Sequence, residues 1–169
     1  MTDGSAGVAE PGTEHRRVVG RFGGDRPGPV MLVVGGLHGN EPAGVEAATD
    51  VLAALRDRTP AFRGTLTMLA GNLAALAAGR RFLERALNRM WLPERVAVLE
   101  QVADPDDLEG EDRELRLLWD QIRACLTDAR DGAYLIDLHT SSAPGCPFMT
   151  VGDTIRNRRF ASNLPLPLI

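Results

Sequence analysis

The sequence predicts an α/β fold with a mixed, largely parallel sheet and helices on both of its faces. Short apolar runs at 30–34, 65–70 and 133–138 have the length of buried strands. Longer stretches between them carry apolar residues at helical spacing, above all in the segment after Glu111. Because strands that alternate with helices are typical of parallel sheets, these runs are expected to lie side by side.

The first half of the chain is predicted to hold three strands and two helices. Residues 17–22 form a short edge strand, and 30–34 form a strand buried on both faces, because its apolar run is continuous. A helix follows from Pro42, with Asn40 as its N-cap. Its apolar stripe comprises Ala47, Ala48, Val51, Leu52 and Leu55. Strand 65–70 and a short helix over 73–78 come next.

The second half is predicted to wrap and complete the same domain. The arginine-rich segment 79–91 covers one face, and 104–112 is an acidic surface loop. An amphipathic helix then carries Leu115, Leu118, Trp119, Ile122 and Leu126. Strands are expected over 133–138 and 147–151, and the apolar residues 163–169 resemble the opening of another buried strand. We therefore expect a tail over 1–16 that is disordered and a domain over 17–169 that lacks its C-terminal portion.

Composition excludes several classes of protein. The net charge of -4 provides no basic field for nucleic acid, and no apolar run approaches the ~20 residues of a membrane span. All 19 basic residues are arginine, so mechanisms that need a Schiff-base or P-loop lysine are excluded. Cys125 and Cys146 form no CxxC motif, which is typical of a reducing cytoplasm. The sequence leaves the oligomeric state open, a homo-oligomer included.

Two histidines follow predicted buried strands and indicate a metal site. His38 lies beyond 30–34, and His139 directly follows 133–138. Ligands of open α/β sheets bind beyond the carboxyl ends of the strands, so parallel neighbours would bring both imidazoles to one place. Glu41 adds a carboxylate, which makes a usual catalytic zinc set with a fourth position for water or substrate. Asp137 faces the same side of its strand as His139 and could hydrogen-bond it.

Structural alternatives exist for each of these residues. A lone His-x-x-Glu occurs often by chance, and His139 alone could be a core or capping histidine. Arg80, Arg81 and Arg89, the last of which lies beside Asn88, could grip a carboxylate, although most surface arginines are simply solvated. The glycines of 35–44 do not meet the GxGxxG spacing and no GK[ST] follows, which disfavours a nucleotide site.

Four separated motifs resemble one known family. They are GGLHGNEPAG at 35–44, GNLAALAAGRRF at 71–82, LNRMW at 87–91 and DLHTSS at 137–142. In this order and spacing they resemble the succinylglutamate desuccinylase/aspartoacylase family, within the wider zinc carboxypeptidase-like group. The resemblance implies a three-layer sandwich and a zinc-dependent hydrolase that cleaves the amide bond of an N-acyl amino acid or a similar small carboxylate-bearing substrate.

The resemblance also implies roles for individual residues. Zinc would be held by His38, Glu41 and His139. Arg81 would polarise the scissile carbonyl, and Asn88 with Arg89 would grip the free carboxylate of the substrate. By the same comparison Arg80 is a surface residue and Asn72 is structural.

Two departures from the family pattern stand out. Ala86 stands where the family usually has an aspartate that could orient an arginine. The family's general base, a glutamate, is expected beyond Ile169. The alternatives are a carboxypeptidase-like peptidase and an inactive metal-binding domain that lacks this base.

Overall fold

A computed structural model describes residues 15–23 and 25–169. Its strands are β1 (Val18–Gly23), β2 (Val30–Gly35), β3 (Thr65–Ala70) and β4 (Ala133–Leu138). Its helices are α1 (Ala43–Arg58), α2 (Leu73–Ala77), α3 (Pro93–Glu100), α4 (Gly110–Leu126) and α5 (Ile155–Ala161), with 3-10 turns at Leu87–Arg89 and Pro105–Asp107. The tail predicted over 1–16 falls outside the described residues except for its last two.

The four strands form one sheet in the order β1-β3-β2-β4. β3, β2 and β4 are parallel, and β1 is an antiparallel edge strand beside β3. The predicted mixed and mostly parallel sheet is therefore confirmed. Gly35, at the end of β2, pairs with Leu138, at the end of β4, so the two strands finish side by side.

Helices cover both faces of the sheet, as predicted. Alternate residues of β2 enter different cores because side chains of a strand point to opposite faces in turn. Val30 and Leu32 pack in a core that includes Leu115 and Leu118 of α4. Val33 packs on the other face in a core with residues of α1. β2 is thus the buried central strand from which the site extends.

Helix α1 differs from its predicted start and face. Its N-cap is Pro42, which makes no side-chain cap bond, and the expected N-cap Asn40 is exposed. Ala47 and Val51 are also exposed, whereas the buried residues of the helix are Val45, Ala48 and Leu52. The reason is a close approach of backbones: a Cβ on Gly44 would lie 3.1 Å from the Cα of Gly35, so this side of the helix faces β2.

Three expectations for the second half are wrong. Glu111 does not end an acidic surface loop, because it lies in the first turn of α4 and is fully buried. Residues 147–151 form no strand but a single bridge from Met149 to Leu168. The apolar residues of 163–169 do not open a buried strand, since Leu166, Leu168 and Ile169 are exposed. No helix within the described ranges is long and apolar enough to cross a membrane.

Candidate metal centre

The parallel pairing of β2 with β4 brings the two strand-end histidines together. His38 follows the end of β2 by three residues and His139 follows β4 directly. Their ring centroids are 4.8 Å apart. The convergence expected from the strand ends is therefore present in the fold, although residues 38 and 139 are far apart in sequence.

Glu41 lies between the two imidazoles. Its Oε1 is 2.8 Å from Nδ1 of His38, and its Oε2 is 3.1 Å from Nδ1 of His139. Oε2 also accepts a hydrogen bond of 2.8 Å from the backbone N–H of Thr140. A backbone bond of 3.0 Å from Glu41 N–H to the His38 carbonyl closes the turn that precedes α1. Glu41 is 7% exposed and His38 is 3% exposed, so the group sits at the edge of the core.

These three residues have the donors and the spacing of a metal site. One potential ligand atom from each of His38, Glu41 and His139 lies within 4.8 Å of the others. Two imidazole nitrogens and a carboxylate are a usual ligand set of catalytic zinc. Nε2 of His139 lies 2.7 Å from Oδ2 of Asp137, and this arrangement leaves Nδ1 facing Glu41. The residues therefore fit a zinc ion.

The electrostatics keep the carboxylate ionised. Burial alone would raise the pKa of Glu41, but hydrogen bonds from Thr140, His38 and His139 outweigh it, so that the pKa lies below its ordinary value of 4.5. The pKa of His139 is raised, chiefly by its hydrogen bond to Asp137, with further support from Glu41 and opposition from burial. Glu41 is thus in the protonation state that a metal ligand needs at neutral pH.

Arg81 lies at the rim of this group. Its Nη1 is 3.4 Å from Oε1 of Glu41, and about half of its side chain is exposed. Its backbone carbonyl accepts a hydrogen bond of 3.2 Å from Gly39 N–H, within the loop that carries His38. The neighbouring Arg80 is exposed and donates to the Leu83 carbonyl at 3.3 Å, as expected of a surface residue. Among the described residues, Arg81 is therefore the arginine whose guanidinium lies beside the candidate metal ligands.

Asn88 and Arg89 lie in the 3-10 turn Leu87–Arg89. Arg89 is exposed, and Oδ1 of Asn88 is buried with no hydrogen-bond partner among the described residues. Within that part of the chain, neither side chain is hydrogen-bonded to Glu41 or to the two histidines. Their role as a carboxylate grip stays a prediction.

Comparison with known proteins identifies the family. Residues 27–159 match the family described as the succinylglutamate desuccinylase/aspartoacylase catalytic domain. The chain belongs to this family. Its matched range contains both histidines, Glu41 and the arginine segment.

Two curated members of this family were compared in sequence. A succinylglutamate desuccinylase of Photorhabdus laumondii is 38% identical over 61 residues, which are 36% of this chain and 19% of that protein. Another, of Erwinia tasmaniensis, is 34% identical over 97 residues, which are 51% of this chain and 30% of that protein. The matched segments thus cover less than a third of the length of these relatives.

Solved structures support the fold of the family. The succinylglutamate desuccinylase of Chromobacterium violaceum matches with a TM-score of 0.53 and 24% identity, over 68% of this chain and 33% of that one. The enzyme of Vibrio parahaemolyticus matches with a TM-score of 0.54 and 18% identity, over 70% and 38% respectively. The zinc carboxypeptidase-like α/β fold predicted from the motifs is therefore confirmed.

Two buried polar residues order the surroundings of the centre in this member of the family. Asn72 is fully buried; its Oδ1 caps α2 by accepting from Ala75 N–H at 3.0 Å, and its Nδ2 donates to Glu111 at 3.2 Å. Its expected structural role fits this position. The sequence carries no signal for the role of Glu111, because its partners are an amide and backbone N–H groups that are distant in sequence.

Proposed function

We propose that the chain carries the zinc-binding part of a hydrolase that cleaves the amide bond of an N-acyl amino acid or a similar small carboxylate-bearing amide. Family membership supports the reaction class. The observation that carries the proposal is the convergence of His38, Glu41 and His139 at the ends of two parallel strands. A small-molecule carboxylate is the proposed partner, and a cytoplasmic location stays a prediction.

The residues around the centre divide the work of this reaction. Zinc, when bound, supplies a Lewis acid that polarises the amide carbonyl and lowers the pKa of water towards ~7. Asp137 orients His139, and Glu41 contributes its carboxylate to the ligand set. Arg81 presents guanidinium donors beside Glu41, and these donors would stabilise negative charge that develops on the carbonyl oxygen of the substrate.

Zinc content tests the ligand set. We expect about one zinc per chain in the wild type and loss of zinc in His38→Ala and His139→Ala, measured by elemental analysis after dialysis. His15→Ala is the matched control, since His15 is the remaining histidine and is absent from the metal-ligand group of the described residues. Zinc retained at the wild-type level in both ligand variants would contradict the proposal.

Substrate recognition gives a second prediction, on Arg89. Arg89→Ala should raise KM for N-succinylglutamate by about tenfold or more, because a charge-assisted bond to the carboxylate is lost. The exposed Arg80→Ala is the control and should leave KM unchanged. An unaltered KM in Arg89→Ala would remove Arg89 from the site. Product analysis with an N-acyl amino acid and a short peptide separates this reaction from that of a carboxypeptidase-like peptidase.

A further inference from the structure

A fully buried carboxylate holds the segment that carries the arginines. Glu111 is 0% exposed, and both of its oxygens accept hydrogen bonds. Oε1 accepts from Leu83 N–H at 2.6 Å and from Nδ2 of Asn72 at 3.2 Å. Oε2 accepts from the N–H groups of Glu84 at 3.1 Å and Arg85 at 3.2 Å. Three consecutive backbone amides thus converge on one side chain.

This arrangement resembles an anion-binding nest whose anion belongs to the protein itself. Consecutive backbone N–H groups form concave sites that favour negative charge. A buried carboxylate is costly unless hydrogen bonds satisfy it, so Glu111 and the 83–85 amides depend on each other. Residues 83–85 belong to no helix or strand, and no ladder or helical bond orders their N–H groups.

The held residues lie between the two proposed substrate-binding points. Arg81 precedes them by two residues, and the 3-10 turn with Asn88 and Arg89 follows them by two. The segment is tied at one end by the bond from Gly39 N–H to the Arg81 carbonyl and at the other by Leu87, which is fully buried. Ala86 has no side-chain acceptor of its own, so the carboxylate that orders this stretch comes from α4.

We propose that Glu111 is a positioning residue that sets the spacing of Arg81 and Arg89 relative to the metal ligands. The inference rests on the proposed function of those arginines. Among the described residues, Glu111 makes no hydrogen bond with His38, Glu41 or His139, and it acts through the backbone of 83–85.

The same helix supplies a matched control in Glu114. This residue lies one helical turn after Glu111 and is 5% exposed. It accepts hydrogen bonds from the N–H groups of Leu73 at 3.0 Å and Ala74 at 3.3 Å, and it pairs with Arg17. It is therefore a buried carboxylate of the same type that braces α2 and the start of β1 instead of the arginine segment.

The decisive variant is Glu111→Gln. An amide keeps the shape of the side chain but turns one acceptor into a donor. Either orientation leaves the Leu83 and Asn72 donors, or the Glu84 and Arg85 donors, facing an NH2 group. Glu111→Asp is the second variant, since it keeps the charge but shortens the reach. Amide hydrogen exchange, KM and kcat for N-succinylglutamate and zinc content are measured on the full chain for both variants and for Glu114→Gln.

We expect Glu111→Gln to speed the exchange of the Leu83, Glu84 and Arg85 amides by at least about tenfold and to raise KM by about fivefold or more, with zinc retained. Glu111→Asp should shift both quantities in the same direction. Glu114→Gln should speed exchange at Leu73 and Ala74 and leave KM unchanged. A mere loss of folded protein would lower apparent kcat without altering KM, so KM separates positioning from stability.

Two results would overturn the inference. One is unchanged exchange at 83–85 in both Glu111 variants, and the other is a KM that rises equally in Glu111→Gln and Glu114→Gln. Failure of the proposed function looks different, because wild type would then bind no zinc or leave N-succinylglutamate intact. Even then, unchanged amide exchange at 83–85 in the Glu111 variants would overturn the ordering role of Glu111. Faster exchange at these amides would show that Glu111 orders the backbone but would contradict its role in substrate binding.

Discussion

Asp137 determines which ring nitrogen of His139 faces Glu41. Its carboxylate lies 2.7 Å from Nε2, so a proton on that nitrogen leaves the Nδ1 lone pair for a metal. Asp137→Asn should weaken zinc binding by about 10- to 100-fold, as measured by competition with a chelator. Asp131→Asn is the control, because Asp131 pairs with Arg63 on the surface. Equal zinc affinity in both variants would show that the tautomer of His139 does not depend on the carboxylate of Asp137.

Glu111 also makes the stability of the protein depend on pH. Burial alone would raise the pKa of Glu111, but hydrogen bonds from the 83–85 amides and Asn72 outweigh it, and the pKa lies below 4.5. Its contribution to stability is therefore present above the unfolded value and is lost as the pH falls through the folded one. Wild type should lose more unfolding free energy than Glu111→Gln between about pH 6 and pH 3 in urea titrations. Parallel losses would contradict this linkage.

The positions of individual site residues were predictable where a local sequence pattern, such as a strand end, marks them. His38, Glu41 and His139 follow strand ends, and a strand end that points to a binding edge can be seen in the sequence itself. Glu111 was misplaced because a buried carboxylate resembles a solvated one until the chain folds around it. The cap expected at Asn40 failed for a related reason: Glu41, which directly precedes the N-cap Pro42, is hydrogen-bonded to the two histidines.

At the scale of elements, the loop after β2 is packed against α2 with no space for a side chain at Gly39. A Cβ there would lie 2.0 Å from the carbonyl carbon of Ala75. Gly39→Ala should therefore cost about 3 kcal/mol or more of unfolding free energy, because backbone has to move. Gly145→Ala is the control, since a Cβ at Gly145 meets nothing within 4 Å. Urea unfolding measures the stability of both variants, and equal transition midpoints would contradict the close packing at Gly39.

The positions of the strands and longer helices in the sequence were largely predictable, whereas the side of each helix that packs against the sheet was less so. All four observed strands and the longer helices α1 and α4 coincide with apolar patterns in the sequence. The buried face of α1 is rotated relative to the predicted apolar stripe. The reason is that the close contact of Gly44 with Gly35, and not the number of apolar residues on a face, determines which side of the helix meets the sheet. The short apolar run at 147–151 lacked a neighbouring strand to pair with, and apolar character alone does not make a strand.

At the scale of the whole molecule, the candidate metal centre joins distant parts of the sheet. Its ligands come from the β2–α1 junction and from the end of β4. A metal that binds only the folded protein should add about 2.7 kcal/mol of stability at 100 times its Kd. Chelation should therefore lower the Tm of the wild type in calorimetry. His139→Ala should show the same Tm with and without zinc, and a wild type indifferent to chelation would refute the link.

The architecture was predictable in class but not in detail. Alternation of strands with helices predicted the parallel sheet, and four motifs predicted the family fold. The order β1-β3-β2-β4 could not be obtained in this way, because a single sequence carries no record of which strands pair. Nor could it place Asn88 and Arg89 relative to the ligands, since that depends on an irregular segment ordered by Glu111.

The long separation of the ligands has a consequence during synthesis. Glu41 and His139 are 98 residues apart, so at translation rates of about 5 to 20 residues per second the early pair precedes its third partner by roughly 5 to 20 s. Throughout that interval the nascent chain contains only two of the three candidate ligands, His38 and Glu41. Complete coordination of a metal by this candidate group would therefore wait until β4 has been synthesised and has paired with β2, late in translation.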